Sequence, residues 1–578
     1  MKNILYTLLV PVFLLATSCQ EDEFLTEVNP NAITPEVFWE SSSDFDKALN
    51  TVYGALQFKS VSGANLTYEM VQGDLGATEF WFPHDAFGTL SFTDATEHVQ
   101  TKWNELYIGV FRANQVLQYL EDEKVTLTAE EKKLIMAQTR FLRAFFYFQI
   151  AHSYNGAVIH TEIPVSSDDF DKPFSTISEV TNQVIMPDLD SAKKYLPTQW
   201  SGVDNTGRVT WGAATAMKGK VYLYDSKWTD AAKEFKEIID EGIYALTPNI
   251  LDNWSHTNEF NSESIFEVNY SEVLVPDVNG NKIDDNTNEV GAEATSMNRQ
   301  MAQTNVGGYN TVLPTYYLHE MFMNERIDGQ ESNRLQASIA NAQGTGTYYG
   351  QNIVDITAFG FGQSGYVKKH SNWYHLEFED ASLERSGINF RHIRYADILL
   401  MYAEAILEAG ATDAVTDAID ILDQIRFRAG ASTITDYLDR PVTGSPAVSM
   451  NTFPALHRSA MRYGVAEEVS PTIANLLTHI RLVERPLELC FEGHRWKDLV
   501  RWGLVESQWA ILASDEQWKL DNYDAIEGIA PLYLARVRPD FITALANYSE
   551  IRDYFPIPTS EVQINTGLNV TADETASE

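Results

Sequence analysis

Cysteine is almost absent from this sequence: Cys19 and Cys490 are the only two in 578 residues. With one of them in the leader, no internal disulfide framework can be drawn, and no CxxC or Cys/His cluster offers a zinc site. Basic residues are scarce too, 42 Lys and Arg against 81 Asp and Glu, for a net charge of −39. Nucleic-acid binding needs clustered cations to displace counterions, and adhesion to anionic lipid by charge needs them as well, so the composition argues against both. HExxH, GxSxG and Walker A patterns are missing. Beyond the leader no apolar run reaches the length of a transmembrane helix. What is present is a globular composition, 44% hydrophobic, and 12% aromatic, enough to fill cores and still supply a surface.

The leader "MKNILYTLLVPVFLLATSC" has Lys2, an apolar run from Ile4 to Leu15 and small residues before Cys19. That is the layout of a secretory signal, too short for a comfortable membrane span. "LLATSC" resembles a lipoprotein box, with Ala16 where Leu is usual and Leu15 one residue further back. Residues 1–18 are therefore expected to be cleaved, leaving Cys19 as an acylated N-terminus anchored through lipid. Residues 19–40, opening with the acidic "QEDEF", read as a solvated tether.

Helical periodicity organises much of the mature chain. Phe45, Leu49, Val52 and Leu56 share one face, as do Leu106, Val110, Ala113 and Leu117. A third helix is predicted to stop at Asn155–Gly156. Between Ala216 and Leu246, Gly219, Tyr222, Ala231 and Phe235 have the small-and-large spacing of a tetratricopeptide repeat. Ala403, Ile406, Val415 and Ile419 repeat it more loosely. "ESIFEVNY" reads as a strand. Residues 261–389 are Gly-, Asn- and Asp-rich with few helical faces, and Gly73–Phe92 has the same character. Long irregular loops on a rigid scaffold usually carry function.

The densest cluster of chemistry is "ERPLELCFEGHRWKDLVRWG", Glu484 to Gly503. Read as a helix bent at Gly493, it places Glu488 near Glu492, Glu492 near Arg495, Arg495 near Asp498 and Asp498 near Arg501, which is structural spacing. Leu487, Phe491, Leu499 and Trp502 are its apolar anchors. A Cys490/His494 nucleophile pair is possible in spacing, but Cys490 sits between Leu489 and Phe491 and reads as buried and inert. Glu488 and Glu492 on one helix face cannot flank a sugar ring as glycosidase carboxylates must. "DVNGNKIDD" places Asp277, Asn279 and Asn281 like a calcium loop, but Gly280 is misplaced and no Glu stands at position 12, so a polar turn is the better reading. The stronger lead is aromatic. "EFWFPHDAFG", "YYGQN" and "HSNWYH" put rings in polar loops, where an exposed face can meet the C–H side of a pyranose. Trp81, Phe82, Asp85, Tyr309, Trp373 and Tyr374 are the ligand candidates, with Trp81 and Trp373 expected to be dispensable for stability.

Together these stretches resemble the SusD/RagB outer-membrane lipoproteins of Bacteroidetes. The resemblance is carried by "ATSC", "RFLRAFFYFQIAHSYNGAVIHTEIP", "TWGAATAMKGKVYLY", "ESIFEVNY", "NFRHIRYADILLMYAEAILEAG", the Glu484–Gly503 block and "YFPIPTSEVQINTGL", in family order across nearly the whole mature chain. Pro486 departs from the usual residue but suits a first helical turn. The resemblance implies a mostly α-helical, SusD-like fold of four tetratricopeptide-like helix pairs with a loop-rich ligand side. It implies one such domain over 41–578, made of a helical part at 41–260, a loop-rich insertion at 261–390 and a helical part at 391–578. It further implies glycan capture without catalysis or cofactor, a SusC-like TonB-dependent transporter as partner, and a lipid-anchored place on the outer membrane facing the exterior, for which "QEDEF" resembles an export signal. Competing readings are a protein-binding scaffold, capture of a peptide or glycopeptide, and a glycoside hydrolase.

Overall fold

The structure is a computed structural model. It describes residues 38–122, 126–271, 294–325, 330–341, 344–353, 365–371, 373–374, 386–435, 471–526 and 540–568. The leader, Cys19, nearly all of the tether, and Asp277, Asn279 and Asn281 lie outside these residues.

Helices dominate. Helix α1 (Ser42–Gly54) buries Phe45, Leu49 and Val52 as its period requires. It packs on the hairpin of α2 (Glu97–Leu120) and α3 (Ala129–Tyr154). On α2, Val116 and Leu120 are buried while Leu117 is only partly so, a small rotation from the expected face. Thr128 and Glu131 form a capping box at the start of α3, and Asn155 ends it in the left-handed conformation. Helices α4 (Met186–Tyr195), α5 (Trp211–Tyr224) and α6 (Trp228–Glu241) come next. The spacing read as a tetratricopeptide repeat has its physical basis here. A Cβ on Gly219 of α5 would stand 2.6 Å from the Phe235 ring of α6, so only glycine permits this approach. The hairpin of α7 (Tyr395–Glu408) and α8 (Ala414–Arg428) repeats the arrangement around its own core, which includes Ala403, Ile406 and Leu422.

Strands are short and serve as clamps. Strand β1 (Gly76–Ala77) pairs antiparallel with β3 (Leu313–Pro314). Strand β2 (Ser264–Val268) pairs with β6 (Phe390–Arg394), Val268 opposite Phe390, so the irregular region leaves and rejoins the scaffold at one ribbon. Within that region β4 (Ile339–Asn341) pairs with β5 (Gly365–Val367).

The Glu484–Gly503 block corrects an expectation. It is not one bent helix with locally paired charges. The helical turn Arg485–Leu489 stops, Phe491 and Gly493 take φ values of 62° and 81°, and a new helix α9 (Arg495–Arg501) begins. Of the spacings read from sequence, Asp498–Arg501 is an ion pair, at 2.8 Å. The other acids reach far along the chain. Glu484 binds Arg334 at 2.6 Å and Arg426 at 2.9 Å. Glu492 binds Lys369 at 2.8 Å and Arg394 at 2.7 Å. Arg495 pairs with Asp74 at 2.6 Å. Leu487, Phe491 and Leu499 are buried as expected, and Trp502 is half-buried with its indole N–H on Glu404.

A candidate ligand-binding face of loop aromatics

A small second core explains how residues from three distant segments meet. Ala302, Leu313, Ala340, Tyr348, Tyr349, Ile353 and Tyr366 pack together, with Ala77, Val306 and Trp373 against them. Ala77 leads into the loop that carries Trp81. Val306 and Leu313 bracket Tyr309. The β1–β3 pairing brings the first of these segments to the second, and the β4–β5 pair leads to Trp373.

On that platform the candidates fare differently. Trp81 is 49% exposed, and Phe80, outside the candidate set, is 78% exposed and meets it edge to face at 5.0 Å. Phe82 is half-buried, with its ring 6.1 Å from Trp81. Tyr309 presents an exposed ring, with the Arg299 guanidinium 4.2 Å from its centroid. Trp373 is half-buried and carries the Lys368 ammonium 3.7 Å from its centroid. Tyr374 keeps an exposed edge, but its hydroxyl donates to Trp254 O at 2.9 Å and accepts from His256 N at 3.0 Å, so it also ties down a neighbouring loop. Asp85 stands apart. It lines an adjoining recess with Thr78, Tyr316, Glu516, Lys519 and Asp540. There burial, reinforced by Asp540, pushes the Glu516 carboxyl up to about 8.

The Tyr309 loop is held by its backbone: Gly308 N donates to Gln303 O, Tyr309 N to Arg299 O and Asn310 N to Ala302 O. A Cβ on Gly308 would stand 2.1 Å from Ala302 O, a backbone atom that cannot swing aside. Gly308→Ala is therefore expected to push this loop off its core and lower stability by about 1–3 kcal/mol. Urea unfolding measures it; an unchanged midpoint would show that the loop absorbs the methyl group.

The two catalytic arrangements weighed from sequence are scaffold. Cys490 is fully buried, and burial raises its thiol. Burial, with Lys220, holds His494 down at about 4. Although burial opposes its charge, Arg394 and Lys369 hold Glu492 down at about 2. Glu488 and Glu492 do not share a helix face as expected, because the chain turns between them. Both instead close on the Arg394 guanidinium.

A second feature is apolar. Trp103, Tyr107, Ile108 and Phe111 of α2, with Pro164, Phe170 and Ile564, line a groove of about 920 Å³. Phe111, Phe170 and Ile564 are exposed along it.

Helix hairpins surround a main core, and loop aromatics gather beside a second one. Solved structures share the fold. A SusD superfamily protein from Bacteroides vulgatus matches with a TM-score of 0.70 at 23% identity, covering 92% of this chain and 99% of that one. A "Laminarin binding SusD-like protein" matches with a TM-score of 0.63 at 22% identity, covering 92% and 99%. Surface glycan-binding protein A from Bacteroides thetaiotaomicron, in complex with laminarihexaose, gives 0.62 at 20% identity, covering 91% and 98%. The chain belongs to the SusD family, whose model matches residues 210–572; a second model, "Starch-binding associating with outer membrane", matches residues 23–223. Among curated relatives, SusD-like protein P25 of Formosa agariphila is 24% identical over 529 residues, 86% of this chain and 90% of that one. A SusD-like protein of Bacteroides ovatus is 23% identical over 434 residues, covering 72% and 74%.

Proposed function

We propose that this protein is a non-catalytic, lipid-anchored glycan-binding protein of the outer membrane, one SusD-like domain over 41–578. It captures oligosaccharide outside the cell and hands it to a TonB-dependent transporter. The observation that supports this reading is that the segments bearing Phe80 and Trp81, Tyr309, and Trp373 are each tied to one small core, through Ala77, through Val306 and Leu313, and through Trp373 itself, while Phe80, Trp81 and Tyr309 stay exposed. Aromatic rings held on a rigid platform offer the flat apolar contact that pyranose C–H faces take, with polar groups at the rim for hydroxyls. Family membership and the names of its relatives support the same reading, as does the leader's resemblance to a lipoprotein box. Binding of the purified protein to a polysaccharide panel, with chromatography of the products, tests it. Binding with the glycan returned intact is expected. Cleavage, or no binding to any glycan, would overturn it.

The apolar groove on α2 supports a protein partner alongside the glycan, and we assign the transporter contact to it. Phe111→Glu with Ile564→Glu is expected to abolish co-purification with the transporter while leaving glycan affinity within about twofold, because the substituted side chains already face solvent. Co-purification unaffected by both charges would remove the groove from the interface.

A further inference from the structure

Two rings on the proposed glycan face each carry a cation. Lys368 lies over Trp373 and Arg299 over Tyr309. In a chain of net charge −39 this is a local reversal of sign. Lys368 is 3% exposed, and among the described residues its ammonium makes neither a hydrogen bond nor an ion pair within 4.0 Å. Its neighbour in the chain, Lys369, is equally enclosed but fully paired, to Glu492 Oε1 at 2.8 Å and Glu488 O at 2.9 Å. Glu331 is close enough to act on Lys368 through space, yet does not pair with it; its carboxylate accepts instead from Asn341 and Thr345. Burial draws the Lys368 ammonium down to about 8, so at neutral pH it is still mostly charged.

An enclosed charge with no ion-pair partner among the described residues is costly, and the cost falls when an anion arrives. A cation on one face of an indole also draws on the electron density that a neutral sugar's C–H bonds would meet. Building on the glycan-binding reading above, we propose that the oligosaccharide is acidic: Lys368 beneath Trp373 receives a carboxylate or sulfate ester, and Arg299 beside Tyr309 meets a second charge along it. The rings stack on sugar carbons while the cations read the substituents. Carboxylate and sulfate present the same chemistry to an ammonium, so the test separates them.

The experiment is calorimetric titration of the whole protein with matched pairs: oligogalacturonides against their carboxyl-reduced forms, and sulfated galactan oligosaccharides against their desulfated forms. In one pair the acidic member is expected to bind at least about tenfold more tightly, as loss of a charged hydrogen bond implies. Lys368→Gln should erase that difference, Lys368→Arg should keep most of it, and added salt should shrink it. The melting temperature of Lys368→Gln serves as the fold control and is expected to hold or rise, since a buried charge with no ion pair among the described residues is removed. Neutral members binding as well as acidic ones, or a difference that survives Lys368→Gln, overturns the inference. Binding of neutral laminarihexaose alone, untouched by Lys368→Gln, overturns it and leaves the glycan-binding reading standing. Binding to no member of either pair nor to laminarihexaose removes both.

Discussion

Arg394→Ala is expected to destabilise the protein by about 3–5 kcal/mol, the usual result of stripping one partner from a buried ion network. Arg394 is 1% exposed and uses its whole guanidinium. Nε donates to Glu492 Oε2 at 2.7 Å. Nη1 donates to Glu263 Oε1 at 2.6 Å and Glu488 Oε1 at 2.8 Å. Nη2 donates to Glu488 O at 2.8 Å and Glu492 Oε1 at 3.0 Å. Arg428 also bridges Glu263 and Glu488, and Lys369 pairs with Glu492, so the acids would keep partners but lose the group that joins Glu492 to the other two. Lysine cannot replace it, because one ammonium cannot span three carboxylates in a planar fork. The measurement is chemical denaturation of Arg394→Ala and Arg394→Lys beside the native chain. A loss below about 1 kcal/mol in both, the range of a surface pair, would show that the network is not what holds the irregular region to the helices.

Phe80→Ala with Trp81→Ala is expected to act in the opposite way: stability kept, affinity lost. Both rings face solvent, so truncation leaves no cavity, and exposed positions rarely move stability by more than about 0.5 kcal/mol. A tryptophan anchor at the centre of an interface, by contrast, contributes about 2–4 kcal/mol, roughly thirty- to a thousandfold in affinity. The same logic separates Trp373 from Trp81. The sequence pattern alone marks both as dispensable for stability. Trp373 is half-buried on the second core with Lys368 against its ring, so Trp373→Ala should lower the melting temperature as well as the affinity. Full affinity in the Phe80/Trp81 double variant would take this loop out of the binding face.

How far the sequence can be read depends on the range of each interaction. The helices are legible because their period is local, and the Gly219–Phe235 contact is legible because both residues sit in one hairpin. The Glu484–Gly503 block misleads for the complementary reason. Its charges stand at helical intervals, but the left-handed turn at Phe491 breaks the helix between Glu488 and Glu492, the acids bind residues far back in the chain, and spacing carries no record of such partners. The loops can be nominated from their aromatics. That Ala77, Val306 and Trp373 share one core cannot be seen, because the β1–β3 clamp is two residues long and has no pattern. Phe80 stands one residue from a nominated position. Lys368 has a faint signal in the "KK" doublet, where one lysine turns to the network and its neighbour to Trp373. Arg299 has none.

The far reach of the Glu484–Glu492 acids also sets an order of events during synthesis. Arg334 leaves the ribosome 150 residues before Glu484, and Arg394 leaves it 94 before Glu488. Until those acids emerge, the nascent chain holds cations meant for the interior with most of their counter-charges unmade. The clamp that joins β2 to β6 is therefore expected to close into a dry core only after those acids emerge. Such long-range closure slows folding and keeps apolar surface open in the meantime. A chain cut after residue 435 would be left in that open state, not as a smaller folded half.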